Sequence, residues 1–192
     1  MASDAGLATV LCAMRDQTDL TAPHPPPRPP ARGPGEAGEP TEADVAAVAR
    51  LLGRPPQAGF TVAVRHADGS PLVIRNRPLL DDGTPMPTRW WLVGEPERTW
   101  VSRLESDGGV HRVEAEVGAR AIAAAHAAYA ADRDAAIPAG HTGPRPSGGV
   151  GGTRVGLKCL HAHYASWLAG IDDAVGAWVA ARLVEREGVA YR

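Results

Sequence analysis

Residues 21 to 40 contain eight of the chain's eighteen prolines, and that stretch decides how much of the 192-residue chain is left to fold. Proline fixes φ and carries no N–H, so Pro25-Pro26-Pro27-Arg28-Pro29-Pro30 can form neither helix interior nor central strand. Extended polyproline II is the conformation open to it. The sequence therefore predicts a disordered Pro-rich extension over 1–40 and a single folded domain over 41–192. That leaves roughly 150 residues, enough to bury most of their apolar surface without disulfides or metal. PxxP spacing in the arm also fits a docking peptide for an aromatic groove.

The signals after Thr41 define an α+β order. Thr41-Glu42-Ala43-Asp44 has capping-box spacing, and Val45, Val48, Leu51 and Leu52 follow as one apolar stripe, stopped by Gly53. Phe60 to Arg65 alternates and is β-rich. Asp68-Gly69 turns it into Pro71-Leu72-Val73-Ile74, a hairpin. Trp90-Trp91-Leu92-Val93 reads as a third strand, with the two tryptophans on opposite faces. Helical patterns then dominate. One follows Pro96 and one runs from Val113 through Ala128. Another contains residues 158 to 169, and the last is capped by Asp172 or Asp173. Residues 138 to 152, with six Gly and three Pro, form a loop between them. The expectation is a small antiparallel sheet, a hairpin plus a third strand, packed with four to five helices.

Composition excludes several functions. The net charge is −2 and there is no Lys/Arg run, so a dedicated nucleic-acid binder is not expected. No segment reaches the roughly 20 apolar residues of a membrane span. Leu7 to Met14 is too short for a signal peptide and lacks a basic flank. Two cysteines, Cys12 and Cys159, make no disulfide framework, and a reducing, cytoplasmic location fits them.

Only one of the twenty basic residues is a lysine, and Lys158 opens Lys158-Cys159-Leu160-His161-Ala162-His163-Tyr164. Leu157, Leu160, Tyr164 and Leu168 make an apolar helical stripe, so the cluster is expected on a helix. There Cys159 and His163 are i and i+4, while Lys158 and His161 share another flank. Cys159 with His163 suits a borderline metal, or a thiol activated by an imidazole. Lys158 and His161 suit binding or protonating a phosphate or carboxylate. The plainer alternative makes Cys159 a small core residue and the histidines loop partners.

Two further segments belong to the same question. Gly148-Gly149-Val150-Gly151-Gly152 leads into Arg154 and Lys158. The lysine comes one residue late for a P-loop and no Ser or Thr follows it. Backbone N–H groups at a helix start, with Arg154 and Lys158, can still hold an anion. Asp81, Asp82 and Thr84 offer carboxylates for acid–base or Mg²⁺ chemistry, or simply build a turn.

Two blocks carry a resemblance. They are Pro78-Leu79-Leu80-Asp81-Asp82-Gly83-Thr84-Pro85-Met86-Pro87-Thr88 through Trp91-Leu92, and Gly149-Val150-Gly151-Gly152 with Leu157-Lys158-Cys159-Leu160-His161-Ala162-His163-Tyr164-Ala165. Together, over about residues 41 to 184, they resemble the bacterial, largely actinobacterial, family catalogued as domain of unknown function 501. The resemblance implies no activity. It implies a gene neighbourhood shared with a septum-formation initiator and an exopolyphosphatase-like protein. It also implies two further cysteine positions, one where this chain has His66 and one at Val93-Gly94-Glu95. A metal centre in relatives would follow from those, and a zinc site of His66, Cys159 and His163 in this chain.

The combined reading is one polar pocket that binds a small anionic ligand, with hydrolase or transferase chemistry. Lys158, Cys159, His161 and His163 are its candidate catalytic residues, and Arg65, Asp82, Thr84 and Arg154 its candidate binding residues. The alternative is a non-catalytic module that docks a division or envelope protein through exposed tryptophan or the Pro-rich arm.

Overall fold

The computed structural model describes residues 39–189, so the arm up to residue 38, with Cys12, lies outside the described residues. The elements run α1 (Glu42–Leu52), β1 (Phe60–Arg65), β2 (Pro71–Asn76), β3 (Trp90–Leu92), α2 (Glu97–Ser106), α3 (Gly109–Val117), α4 (Ala119–Ala135), α5 (Leu160–Leu168) and α6 (Ala174–Glu187). The strands form one antiparallel sheet in the order β1-β2-β3. The α+β expectation holds. Among the described residues six helices appear instead of four or five, because Gly118, at φ 79°, divides α3 from α4 where the pattern of Val113 to Ala128 reads as one helix. Among the described residues, no helix is long and apolar enough to cross a membrane.

The capping signals work as the sequence implies. Thr41 Oγ1 accepts from the Asp44 N–H at 3.1 Å, and Asp44 Oδ2 accepts from the Thr41 N–H at 3.0 Å. Asp44 has a second task, because its two oxygens take both Arg65 NH groups at 2.7 and 2.9 Å and so tie α1 to the end of β1. That guanidinium holds the Asp44 carboxyl well below the usual carboxylate range.

The sheet separates two apolar clusters. On one face Phe60, Ile74 and Val93 pack with Val48 of α1, and Trp91 lies against them. On the other, Val64, Leu72, Trp90 and Leu92 join the helical core of α2 to α6. The Trp90–Trp91 pair thus divides between faces as a strand requires. Helix α5 is the centre of that core, with every residue buried except His161. It crosses α6 at contact distance, where a Cβ on Gly176 would lie 2.4 Å from the His163 carbonyl oxygen. Glycine is the residue that permits this approach.

Candidate functional site

The start of α5 determines what its reactive side chains meet. Cys159 is extended, at φ −158° and ψ 128°, and occupies the position before the first helical residue. Its side chain makes no capping bond. The acceptor comes from a remote helix instead: Glu105 Oε1 of α2 takes the Leu160 N–H at 2.5 Å. Lys158 and Cys159 are therefore not on the helix, which corrects the expected i,i+4 pairing of Cys159 with His163. Cys159 turns to His161, with Sγ 3.6 Å from Nδ1.

Glu105 completes a three-residue group. Its Oε1 lies 3.2 Å from His161 Nδ1, so sulfur, carboxylate and imidazole nitrogen face one another. Among the described residues this is the single group of three or more His, Cys, Asp or Glu whose ligand atoms all lie within 4.8 Å. The other imidazole nitrogen is fixed from behind. Nε2 lies 3.1 Å from the Arg98 carbonyl and 3.1 Å from Ser102 Oγ. A carbonyl only accepts, so Nε2 carries a proton.

The electrostatics follow from this packing. Burial opposes the charged form of His161, but the hydrogen bonds and charges of Cys159 and Glu105 outweigh it and raise its pKa to about 10. Glu105 responds in the opposite sense. Burial pushes its carboxyl up, and the imidazole with the Leu160 N–H brings it below its ordinary value.

Cys159 and His161 line a cleft of about 480 Å³ between β3, α2 and the start of α5, walled also by Trp90, Thr99 and Ser102. Lys158 stands exposed at its edge with no hydrogen-bond or ion-pair partner among the described residues. Arg98 also lines it, but its cation is engaged by Glu95 at 2.7 Å and by the Leu51 carbonyl at 3.1 Å. The Trp90 indole N–H is buried without a hydrogen-bond partner.

The remaining predicted site residues lie elsewhere or have other work. His163 is buried against Asp173, with Nδ1 2.9 Å from Oδ2. His66 sits between Ser70 Oγ at 3.0 Å and Glu97 Oε2 at 2.9 Å, so the expected His66–Cys159–His163 convergence does not form. Arg65 is held by Asp44. Asp82 accepts the Thr84 N–H at 2.9 Å in an exposed turn, the plain turn chemistry open to that loop. Arg154 lines a separate cleft with Ile122, His126 and Val155. None of these six lines the Lys158 cleft. Sequence reasoning missed Glu105 and Ser102. Their one signal is position on α2, where Ser102 follows and Glu105 flanks the buried Val101 and Leu104.

A family model now bears on the chain. The model described as "Protein of unknown function (DUF501)" matches residues 62–181. The chain belongs to the DUF501 family. The matched stretch runs from β1 into α6 and includes Glu105, Lys158, Cys159 and His161, whereas α1 falls outside it. The structure also places the two remaining positions of the family resemblance side by side, since a Cβ on Gly94 would lie 2.6 Å from His66 Cε1. No curated protein and no solved structure matches this DUF501 chain.

Proposed function

We propose that the cleft at the start of α5 binds a small anionic ligand, a phosphate or carboxylate, and acts on it as a hydrolase or transferase in the cytoplasm. One observation carries this reading: the chain's sole lysine stands unpaired at the edge of a cleft, adjacent in sequence to a thiol that faces an imidazole. A compact ammonium without an internal partner is an anion receptor. Ser102 and Thr99 add hydroxyls to the same wall.

The chemistry available beside that ammonium is nucleophilic. His161 is already an imidazolium beside Glu105, so the Cys159 thiol releases its proton to solvent and the resulting thiolate pairs with Nδ1–H. Sulfur then attacks the carbonyl carbon or phosphorus, the bond to the leaving group breaks, and the imidazolium gives its Nδ1 proton to that group. Water, or a second acceptor, releases the product and restores the thiol. Lys158 neutralises the charge on the transferred group throughout. Among the described residues, the exposed large hydrophobics are Val45, Val155 and Val184, on separate segments, while Trp91 and Trp100 are half-buried. The docking-module alternative has no supporting patch there.

The test is thermal unfolding against a panel of phosphorylated and carboxylated metabolites. A ligand at 100 times its Kd stabilises by about 2.7 kcal/mol, which for a domain of this size is a Tm rise of roughly 5–10 °C. Wild type should respond to at least one class, and Lys158→Ala and Lys158→Arg should lose the response. Equal responses from wild type and both variants would overturn the proposal.

A further inference from the structure

We infer that Glu105 Oε1, Cys159 Sγ and His161 Nδ1 form a tetrahedral site for a borderline divalent cation, of which Zn²⁺ is the best match, with its fourth position open to the cleft. The site does not depend on the anion reading, because it stands on the separation and orientation of its own donors.

The separations are those of ligands around one ion. Zinc bonds of about 2.3 Å to sulfur and about 2.0–2.1 Å to nitrogen and oxygen, set at tetrahedral angles, hold sulfur about 3.5 Å and oxygen about 3.3 Å from the nitrogen. The observed values are 3.6 Å for Sγ to Nδ1 and 3.2 Å for Oε1 to Nδ1. All three donor atoms lie within 4.8 Å of one another. No rearrangement of the backbone is required to bring them onto one ion.

The outer contacts are those a metal-binding histidine and carboxylate need. A ligating histidine almost always donates its other N–H to a carbonyl, carboxylate or water, which fixes the ring and leaves the ligand nitrogen's lone pair inward. His161 Nε2 makes that bond to the Arg98 carbonyl, with Ser102 Oγ beside it. Glu105 is oriented in turn by the Leu160 N–H. Nδ1 is thus aimed at a sulfur and a carboxylate oxygen, and a cation that replaces the Nδ1 proton meets all three donor atoms at one point.

Chemical type selects the ion. Thiolate, imidazole and carboxylate together suit zinc, whereas Mg²⁺ and Ca²⁺ take all-oxygen sets. Three protein ligands leave the fourth place vacant, the pattern of catalytic zinc sites. Cys159 and His161 both line the cleft, so that place faces the space where Lys158 stands. In the metal-loaded protein Cys159 is a ligand and not the attacking group.

Co²⁺ is the probe, since it replaces Zn²⁺ and absorbs visibly. Chelator-treated full-length protein titrated with Co²⁺ should bind one equivalent, with intense ligand-field bands of tetrahedral cobalt and a thiolate charge-transfer band. Zn²⁺ should then bleach the spectrum. Cys159→Ser should abolish the charge-transfer band, Glu105→Gln should weaken affinity at least tenfold, and Cys12→Ser should leave the spectrum unchanged. Circular dichroism of each variant separates a lost site from a lost fold, and the wild-type titration needs no variant. Absence of cobalt and zinc binding by wild type at micromolar protein would overturn the inference. So would an octahedral spectrum, or a charge-transfer band that survives Cys159→Ser and disappears with Cys12→Ser.

Discussion

His163 Nδ1 lies 2.9 and 3.0 Å from the two carboxylate oxygens of Asp173, and neither side chain reaches solvent. The same Asp173 Oδ1 accepts the Gly176 N–H at 2.9 Å and so caps α6. This pair joins α5 to the start of α6 and removes His163 from the cleft. Deleting one partner of a buried pair strands the other. His163→Ala is therefore expected to cost about 3–5 kcal/mol in urea unfolding. Asp173→Asn keeps an oxygen for the Gly176 N–H and should cost less. Neither change should alter Co²⁺ affinity of the protein that remains folded. A His163→Ala variant as stable as wild type would contradict the structural role.

Gly176 tests the crossing itself. A methyl there would meet the His163 carbonyl oxygen at 2.4 Å and Trp167 Cβ at 2.3 Å, atoms that cannot rotate away. Overpacking of this kind costs about 1–3 kcal/mol or more, and Gly176→Ala should lie at the upper end in chemical unfolding. Gly140, with no atom within 4 Å of an added Cβ, supplies the control. Gly140→Ala should stay within about 0.5 kcal/mol of wild type.

The Asp44–Arg65 pair predicts an acid dependence with a definite sign. The folded carboxyl sits below its ordinary value of 3.8, chiefly through its hydrogen bonds with Arg65. Its contribution is present above the unfolded pKa and is lost as pH falls toward the folded one. Asp44→Asn should cost about 1–2 kcal/mol at neutral pH, limited by the exposure of Arg65. The difference from wild type should shrink steadily from about pH 5 downward. Urea unfolding across that range measures it, and a gap that widens in acid would contradict the pairing.

How legible the chain is depends on the range of the interaction. The Thr41 capping box, the Asp68-Gly69 hairpin turn, the Trp90–Leu92 strand and the Asp173 cap are local devices, and the sequence shows the first three and narrows the last to Asp172 or Asp173. The division at Gly118 is weaker, since a lone glycine within an alanine-rich helical pattern does not announce a positive φ. The site was only half visible. Lys158, Cys159 and His161 stand out by chemistry, but helical spacing misassigns the partner of Cys159. The helix begins two residues later, at Leu160, where Glu105 meets the first free N–H. Glu105 arrives through the packing of α2 on α5, a contact no local pattern encodes. Arg65 and Asp82 looked available because their partners, a capping aspartate and a turn N–H, satisfy them only once folded.

The central claim is that the ligand occupies the cleft beside Cys159. The direct measurement is the rate at which iodoacetamide alkylates Cys159, read by mass spectrometry of its peptide in chelator-treated protein. It is made with and without a saturating amount of the anion that raises Tm most. Cys12, outside the described residues, serves as the internal reference. The expected result is at least a tenfold slowing at Cys159 with no change at Cys12, and no slowing in Lys158→Ala. An unchanged Cys159 rate at saturating anion would contradict the account.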